Sequence, residues 1–285
     1  MLELSSDHEL IIFGGPYSNL HASQAMQAEA EKLGIPASHI ICTGDIVAYC
    51  AHPEETVQLF REWGIQIIAG NCEEQLAAGA ADCGCGFEEG SACDQLAKGW
   101  YAYANNRVSD ESRAWMRQLP SQLSFCYGGH RFRVIHGGVA LNNRFLFASD
   151  RQALLEELSV ADCDVIIAGH AGLPFIEQLP NGLWFNPGVI GMPANDGTPD
   201  CWYGRVRADA DGLRMSICQL AYDHQGAAAA LRQAGHVDGY AEALVTGLWP
   251  SVDVLPPTER AASGARLQEA SISWRRAPEL LDTAS

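Results

Sequence analysis

Short apolar runs alternate with amphipathic stretches along the first quarter of the chain. Residues 10–13, 39–42 and 65–69 are mostly apolar and predict buried strands. Residues 20–33 and 54–63 lie between them with apolar positions at helical spacing, and a glycine follows each stretch. This order of strand, helix, strand, helix and strand is typical of parallel βαβ units, whose strands end at a common edge.

The chain from there to residue 249 predicts more strands than helices. Paired apolar runs flank glycine-containing turns at 128–129, 180–182 and 209–212, which indicates three hairpins. A further buried strand is predicted at 165–168. Helices are predicted at 94–105, 110–119, 148–158, 225–234 and 240–246. We therefore treat residues 1–249 as one domain.

Two segments depart from this pattern. Residues 79–94 contain several glycines together with Cys83, Cys85 and Cys93, and they predict an irregular loop inserted after the third strand. Residues 250–285 contain two adjacent prolines and many small or polar side chains. We expect this segment to be a C-terminal tail that lies over the surface or is partly disordered.

Polar side chains that can bind a metal stand where the apolar strands end. Four of them each lie beside a glycine: Asp45, Asn71, His136 and His170. Because strand ends of one sheet converge on one edge, we expect these side chains to meet there. Each residue alone is more commonly a cap, a turn or a hydrogen-bonded core group, but the ordered set predicts a metal site. Mixed oxygen and nitrogen donors suit Mn, Fe, Zn or Ni better than Ca.

The same blocks resemble the calcineurin-like metallophosphoesterase superfamily, and within it the small bacterial phosphodiesterase-like branch, over about residues 8–248. The matching blocks are 44–49 with Pro53, 70–73, 134–137, 167–170 with Pro174, and 186–191. The resemblance implies an α/β fold, namely a four-layer α/β/β/α sandwich of two mixed sheets flanked by helices. It also implies hydrolysis of a phosphomonoester or phosphodiester at a pair of divalent metals that activate water.

The resemblance assigns roles to individual residues. The bridging metal ligand falls on Asp45, and the second-site ligands fall on Asn71, His136 and His170. The implied catalytic positions are Asn71, Cys72 and His136. Cys72 replaces a family histidine that contacts the phosphate or acts as an acid.

Two further residues are candidates for substrate binding. Arg144 follows the strand of His136, and a guanidinium binds phosphate through two hydrogen bonds, although a surface pair with an acid is an equal alternative. Asn19 is placed to cap the first helix, whose N-terminus then favours negative charge.

The chain departs from the family at the first metal site. The family's opening motif of Asp, any residue, His, Gly and Asn reads here as residues 15–19, Gly-Pro-Tyr-Ser-Asn. The family's Gly-His-any-His motif reads as residues 169–172, Gly-His-Ala-Gly. Gly15, Tyr17 and Gly172 thus replace expected ligands, and only Asp45 remains of the first set.

Three alternatives follow from these replacements. A single metal remains at the four strand-end residues, or extra ligands from Tyr17, Cys83 and Cys85 rebuild the lost site, or catalysis is lost. For the loop cysteines we favour small buried thiols without a metal. We predict a metal-dependent phosphoesterase with an atypical site holding one or two Mn, Fe or Zn ions. The alternative is a non-catalytic module that binds a phosphate ligand or a protein.

Charge and composition narrow the choice of partner and compartment. The chain has 35 acidic and 18 basic residues and a formal charge of -17, which disfavours nucleic acid and anionic membranes. We expect a small phosphorylated substrate instead. No apolar run approaches the ~18 residues of a spanning helix, and the start lacks a signal-peptide pattern, so we expect a cytoplasmic protein. The ten cysteines are then expected to be reduced thiols or metal ligands rather than disulfides.

Overall fold

Two six-stranded mixed sheets face each other, and helices cover both outer sides of the pair. This architecture is seen in a computed structural model that describes residues 2–235 and 239–276. It confirms the expected α/β/β/α sandwich. Within those ranges, no helix has the length and apolar character needed to cross a membrane.

The strands and helices largely fall where the sequence pattern places them. The strands are β1 (Leu2–Leu4), β2 (Leu10–Phe13), β3 (Ile40–Cys42), β4 (Gln66–Ile67), β5 (Leu123–Tyr127), β6 (His130–Ile135), β7 (Val165–Ala168), β8 (Phe175–Leu179), β9 (Gly182–Asn186), β10 (Cys201–Asp209), β11 (Gly212–Leu220) and β12 (Ala270–Trp274). The helices are α1 (Leu20–Lys32), α2 (Pro53–Trp63), α3 (Asn71–Ala78), α4 (Ala92–Asn105), α5 (Asp110–Met116), α6 (Arg151–Ala161), α7 (His224–Gln233), α8 (Tyr240–Thr246) and α9 (Pro257–Ala261).

The strand order explains why so many strands are wholly apolar. The first sheet runs β1-β5-β6-β7-β9-β8, and the second runs β12-β11-β10-β2-β3-β4. In β2, Leu10 and Ile12 face the core between the sheets, whereas Ile11 and Phe13 face the helices outside. A strand buried on both faces needs apolar residues at every position, so no polar alternation is seen in the sequence.

Parallel pairing at the centre of each sheet directs several strand ends to one edge. In the second sheet β2, β3 and β4 run parallel, and in the first sheet β6, β7 and β9 do. The remaining strands pair antiparallel, apart from β1 at the edge of the first sheet, which runs parallel to β5. Residues that follow the parallel strands are therefore delivered to a common region.

Several segments differ from the prediction, including β1 and α9, which were not predicted. β4 covers only two residues, because the N–H of Ala69 already bonds to the carbonyl of Pro120 at 2.8 Å. The helix α3, which begins directly at Asn71, was not predicted. The expected tail is wrong for residues 270–274, because β12 pairs antiparallel with β11 and lengthens the second sheet. Residues 277–285 of that segment lie outside the described residues.

Candidate metal site

The four predicted ligands do meet, but they come from both sheets rather than from one. Asp45 follows β3 and Asn71 follows β4 in the second sheet. His136 follows β6 and His170 follows β7 in the first sheet. All four are buried, with exposed fractions between 1% and 8%. The site thus lies inside the rim where the two sheets come together.

The side chain of His136 is at the centre of this group. Its Nε2 atom lies 3.2 Å from Oδ2 of Asp45 and 3.1 Å from Oδ1 of Asn71. It also lies 3.0 Å from Nδ1 of His170. One donor atom from each of Asp45, His136 and His170 lies within 4.8 Å of the others. This is the spacing of atoms that share one cation.

Hydrogen bonds outside the group fix which atoms face its centre. Nδ1 of His136 lies 2.7 Å from the carbonyl oxygen of Thr43, which only accepts, so the proton of the neutral ring belongs on Nδ1. Nδ2 of Asn71 donates to the carbonyl oxygen of Cys83 at 2.9 Å, which turns Oδ1 inward. The centre is therefore lined by lone pairs, and this donor set fits a divalent Mn, Fe or Zn ion.

The pKa values follow from burial and from the pairing of Asp45 with His136. Burial lowers the pKa of His136, but the charge and hydrogen bond of Asp45 outweigh it and leave that pKa raised. Burial raises the pKa of Asp45, but His136 outweighs it and leaves that pKa lowered. Burial, with the charge of protonated His136, lowers the pKa of His170 to about 3. His170 is therefore a neutral donor, and a cation would displace the proton between Asp45 and His136.

The backbone around the ligands is unusual in two respects. Asp45 and His170 have φ values of 57° and 47°, which non-glycine residues rarely adopt. A Cβ atom at Gly70 would lie 2.2 Å from Oδ1 of Asp45, so only glycine fits there. The glycine beside Asn71 thus serves the close approach of the Asp45 carboxylate.

Glu73 is a supporting residue to which the sequence analysis gave no role. Its Oε2 accepts from the N–H groups of Asp45 at 2.7 Å and Gly70 at 2.9 Å, and its Oε1 accepts from Ile46 at 2.8 Å and Val47 at 3.4 Å. Burial and the charge of Asp45 raise the pKa of Glu73 to about 7. An acidic residue in the first turn of a helix commonly bonds back to the N-terminal backbone of that helix. The position of Glu73 would have indicated this role if α3 had been predicted from the sequence.

The first metal site of the family pattern is filled by an aromatic ring. A Cβ atom at Gly15 would lie 2.3 Å from Cζ of Tyr17, so the phenol ring occupies the space of a side chain at position 15. Burial and the charge of Asp45 raise the pKa of Tyr17 well above its ordinary value. Without a cation Tyr17 is therefore a neutral phenol, and its role as an extra ligand stays a prediction. At Gly172 a Cβ atom would meet the ring of Trp249 at 3.5 Å.

We expect Gly15→Asp to destabilise the fold by about 2–4 kcal/mol, because the new Cβ collides with the ring of Tyr17. The double variant Gly15→Asp/Tyr17→Ala should recover part of that loss, since the ring is gone. Urea unfolding of both proteins and of Tyr17→Ala completes a double-mutant cycle. Strictly additive changes in the free energy of unfolding would show that the ring does not fill this space.

The cysteines of the 79–94 loop are arranged differently from the prediction. Cys83 and Cys85 form a disulfide, with Cα atoms 5.3 Å apart across Gly84, whose φ is 61°. The expectation that all cysteines are reduced or bind metal is therefore wrong for this pair, and so is the expectation of buried free thiols there. The remaining eight cysteines are free. The loop supports the site through the carbonyl of Cys83 on Asn71, not through a thiolate.

The double variant Cys83→Ser/Cys85→Ser should leave the metal stoichiometry unchanged. The carbonyl of Cys83 that accepts from Nδ2 of Asn71 at 2.9 Å survives the substitution, and the sulfur of Cys85 contacts only the same Nδ2 atom of Asn71, at 3.5 Å. Metal content is measured by atomic emission, with wild-type protein as the reference. Alkylation of the denatured wild type should label eight cysteines without a reductant and ten with it. Loss of the metal from the double variant would instead identify the sulfurs as ligands.

The two predicted substrate-binding residues are occupied by other contacts. Nη1 of Arg144 lies 2.5 Å from Oε1 of Glu157 on α6, so the guanidinium is already paired. Asn19 caps α1 as predicted, with Oδ1 accepting from the N–H of Ala22 at 3.1 Å. Its Nδ2 donates to the carbonyl oxygen of Gly191 at 3.0 Å. Both ends of the Asn19 amide are used by the protein, as its predicted capping role requires, and substrate binding by Arg144 or Asn19 stays a prediction.

Cys72 lies beside the metal site as predicted. Its backbone N–H donates to Oδ1 of Asp45 at 3.1 Å, and Nδ2 of Asn71 lies 3.5 Å from its sulfur. Burial and the neighbouring charge of Asp45 raise the pKa of the Cys72 thiol well above its ordinary value. The side chain is therefore a neutral thiol rather than a nucleophilic thiolate.

A half-open cleft of about 80 Å³ leads to the site and reaches it at His170. We call it the apolar cleft. Its walls are mostly aromatic and aliphatic side chains, among them Phe87, Phe145, Val189, Trp249 and Val254. None of the described residues that line it is a lysine or an arginine.

Comparisons with known proteins agree with this architecture. Residues 15–209 match the family model of the calcineurin-like phosphoesterase superfamily domain. The fold is similar to that of a metallophosphoesterase from Sphaerobacter thermophilus, with a TM-score of 0.66 and 20% identity over 85% of this chain and 99% of that one. It is also similar to a hypothetical protein from Pyrococcus horikoshii OT3, with a TM-score of 0.72 and 16% identity over 86% and 99% of the two chains. No curated protein matches the sequence significantly.

Proposed function

The chain belongs to the calcineurin-like phosphoesterase superfamily, and we propose on this basis that it hydrolyses a phosphoester at a single divalent metal ion. The ligands of that ion would be Asp45, Asn71, His136 and His170. The observation that carries the proposal is the convergence of three acceptor atoms on Nε2 of His136 at 3.0–3.2 Å. In the proposed reaction water adds at phosphorus and loses a proton to solvent, and the P–O bond to the leaving group breaks. The leaving oxygen keeps the bonding electron pair and departs as an anion.

The residues around the ion have distinct tasks in this proposal. A bound divalent cation would supply Lewis-acid chemistry, neutralising phosphoryl charge and lowering the pKa of water. The carbonyl of Thr43 holds His136 in the tautomer that directs Nε2 inward. The disulfide-bearing loop holds the amide of Asn71. Burial of the whole group excludes bulk water, which strengthens each electrostatic contact.

Cys72 is the proposed contact of the chain with the phosphoryl group, at the place of the family's histidine. A thiol with a strongly raised pKa is a poor general acid at neutral pH. The leaving group would then depart with little help from proton transfer. We therefore propose that the substrates have leaving groups that are stable as anions, such as phenolates.

A second candidate function rests on the filled first site. The ring of Tyr17 stands where the family places a metal ligand, and Gly172 carries no donor. A fold that has lost three of its seven metal ligands can retain a phosphate-binding or protein-binding role without hydrolysis. This candidate differs from the first in requiring no turnover.

Metal content and turnover measured on the same preparation separate the two candidates. Protein purified without chelator should contain about one equivalent of Mn, Fe or Zn, as expected for one four-ligand site. It should release p-nitrophenol from bis(p-nitrophenyl) phosphate, and a chelator should abolish this release until the metal is restored. A full equivalent of metal without turnover would favour the binding module. Protein that takes up no metal would refute the proposed site.

A further inference from the structure

The residues of the apolar cleft are not explained by metal binding or by hydrolysis as such. The ring of Phe145 lies 4.2 Å from the ring of His170, and Phe87 stacks on Phe145 with a centroid distance of 5.7 Å. On the opposite side, Trp249 covers Gly172 and is fixed by its indole N–H, which donates to the carbonyl of Pro193 at 2.7 Å. A pre-formed aromatic wall thus stands directly beside a proposed metal ligand.

Gly172, which stands where the family has a histidine, lies under this wall. A histidine at position 172 would place a polar ring against Trp249, where glycine leaves room for an apolar group. Tyr17 and Val189 extend the same surface towards the metal site. The loss of the first-site ligands therefore exchanges a charged surface for an apolar one at the point where the cleft meets the metal site.

The size and charge of the apolar cleft limit what it can hold. Its volume of about 80 Å³ lies well below the roughly 300–1,000 Å³ of cavities that enclose drug-sized ligands, so a single ring or a short branched chain fits. Among the four ligands only Asp45 is charged, and Glu73 is a second acid beside it, so a divalent ion there leaves a net charge of at most about +1. This charge matches a monoanion better than a dianion, because none of the described residues along the cleft is a lysine or arginine that would offset a second negative charge.

We infer that the apolar cleft is a specificity pocket for the organic group of a monoanionic phosphodiester that carries one aromatic or short branched substituent. The inference rests on the proposed function for the position of the phosphoryl group at the metal ion, whose proposed ligand His170 lines the cleft. It adds the chemical class of the ligand, and it predicts discrimination both by the ring and by the charge.

Three small ligands test the two parts of the inference by calorimetry on metal-loaded protein. Phenyl methyl phosphate carries a ring and one charge, dimethyl phosphate keeps the charge without the ring, and phenyl phosphate keeps the ring with a second charge. We expect phenyl methyl phosphate to bind at least about tenfold more tightly than either of the others, as burial of a ring implies. Equal binding of dimethyl phosphate would overturn the role of the cleft. Tighter binding of phenyl phosphate would overturn the charge argument.

A variant that fills the cleft supplies a readout other than activity. Val254→Trp should remove the advantage of phenyl methyl phosphate while dimethyl phosphate binds as in the wild type. Leu141→Trp is the matched control, because Leu141 is 61% exposed and does not line the cleft. An unchanged preference in Val254→Trp would place the ring elsewhere and refute the inference. Should the ligand bind as expected without release of phenol, the proposed hydrolysis fails but the specificity pocket stands.

Discussion

Asp45→Asn should weaken metal binding by more than about a hundredfold, and hydrolysis should fall with it. Substitution of residues that merely orient metal ligands typically costs about 10–100-fold in affinity, and loss of a charged ligand should exceed that. Asp45 is the only charged residue among the four ligands, and its Oδ2 lies 3.2 Å from Nε2 of His136. Asparagine keeps the volume and Oδ1, so the N–H of Cys72 retains an acceptor. Titration calorimetry with Mn²⁺ or Zn²⁺ measures the loss directly.

A second buried aspartate provides the matched control. Asp164 precedes β7, whereas the ligand His170 follows the other end of the same strand. Its carboxylate accepts from the N–H of Arg131 at 2.8 Å. Asp164→Asn should therefore lower stability without changing metal affinity. Wild-type metal affinity in Asp45→Asn would mean that the four residues do not share a cation.

Glu73→Ala should cause the largest loss of stability among the site residues, at about 3 kcal/mol or more. The substitution leaves four buried backbone N–H groups in the segments around Asp45 and Gly70 without their acceptor. The same N–H groups hold the turn that gives Asp45 its φ of 57°. Metal affinity should fall together with stability, because the Asp45 carboxylate is no longer held in position.

Glu73→Gln distinguishes loss of the acceptor from loss of volume. Glutamine has nearly the same size but retains one acceptor oxygen, so it satisfies about half of the four N–H groups. It faces the others with its amide NH2 group, which is a donor. We expect the free energy of unfolding of Glu73→Gln to lie between those of the wild type and Glu73→Ala, as measured by urea unfolding of metal-free protein. Equal stability of all three proteins would show that Glu73 does not hold this turn.

Local sequence patterns predicted most of the secondary structure and the four polar residues that the fold brings together. Strands such as β2 and β7 are apolar along their whole length because both of their faces are buried, and that burial is visible without any knowledge of their partners. The polar residues that follow those strands had to gather at the strand ends. The separation of the ligands onto two sheets was not visible, because strand pairing depends on contacts far apart in the chain.

The state of the lost first site was decided only by the tertiary structure. The sequence shows that Gly15 and Gly172 lack donors, but not that the ring of Tyr17 lies over Gly15 or that Trp249 covers Gly172. Likewise, no local pattern pairs Arg144 with Glu157.

The sequence by itself determined the order of strands and helices, the resemblance to the family and the residues able to bind a metal, because these depend on periodicity and on the order of motifs. The layer architecture followed from the resemblance. Only the fold decided which atoms face the cation, that Glu73 holds the Asp45 turn, and that an apolar cleft leads to His170. The physical reason is that such features arise from side chains distant in sequence that pack within a few ångströms of one another. Their distances are fixed by the whole core rather than by any segment.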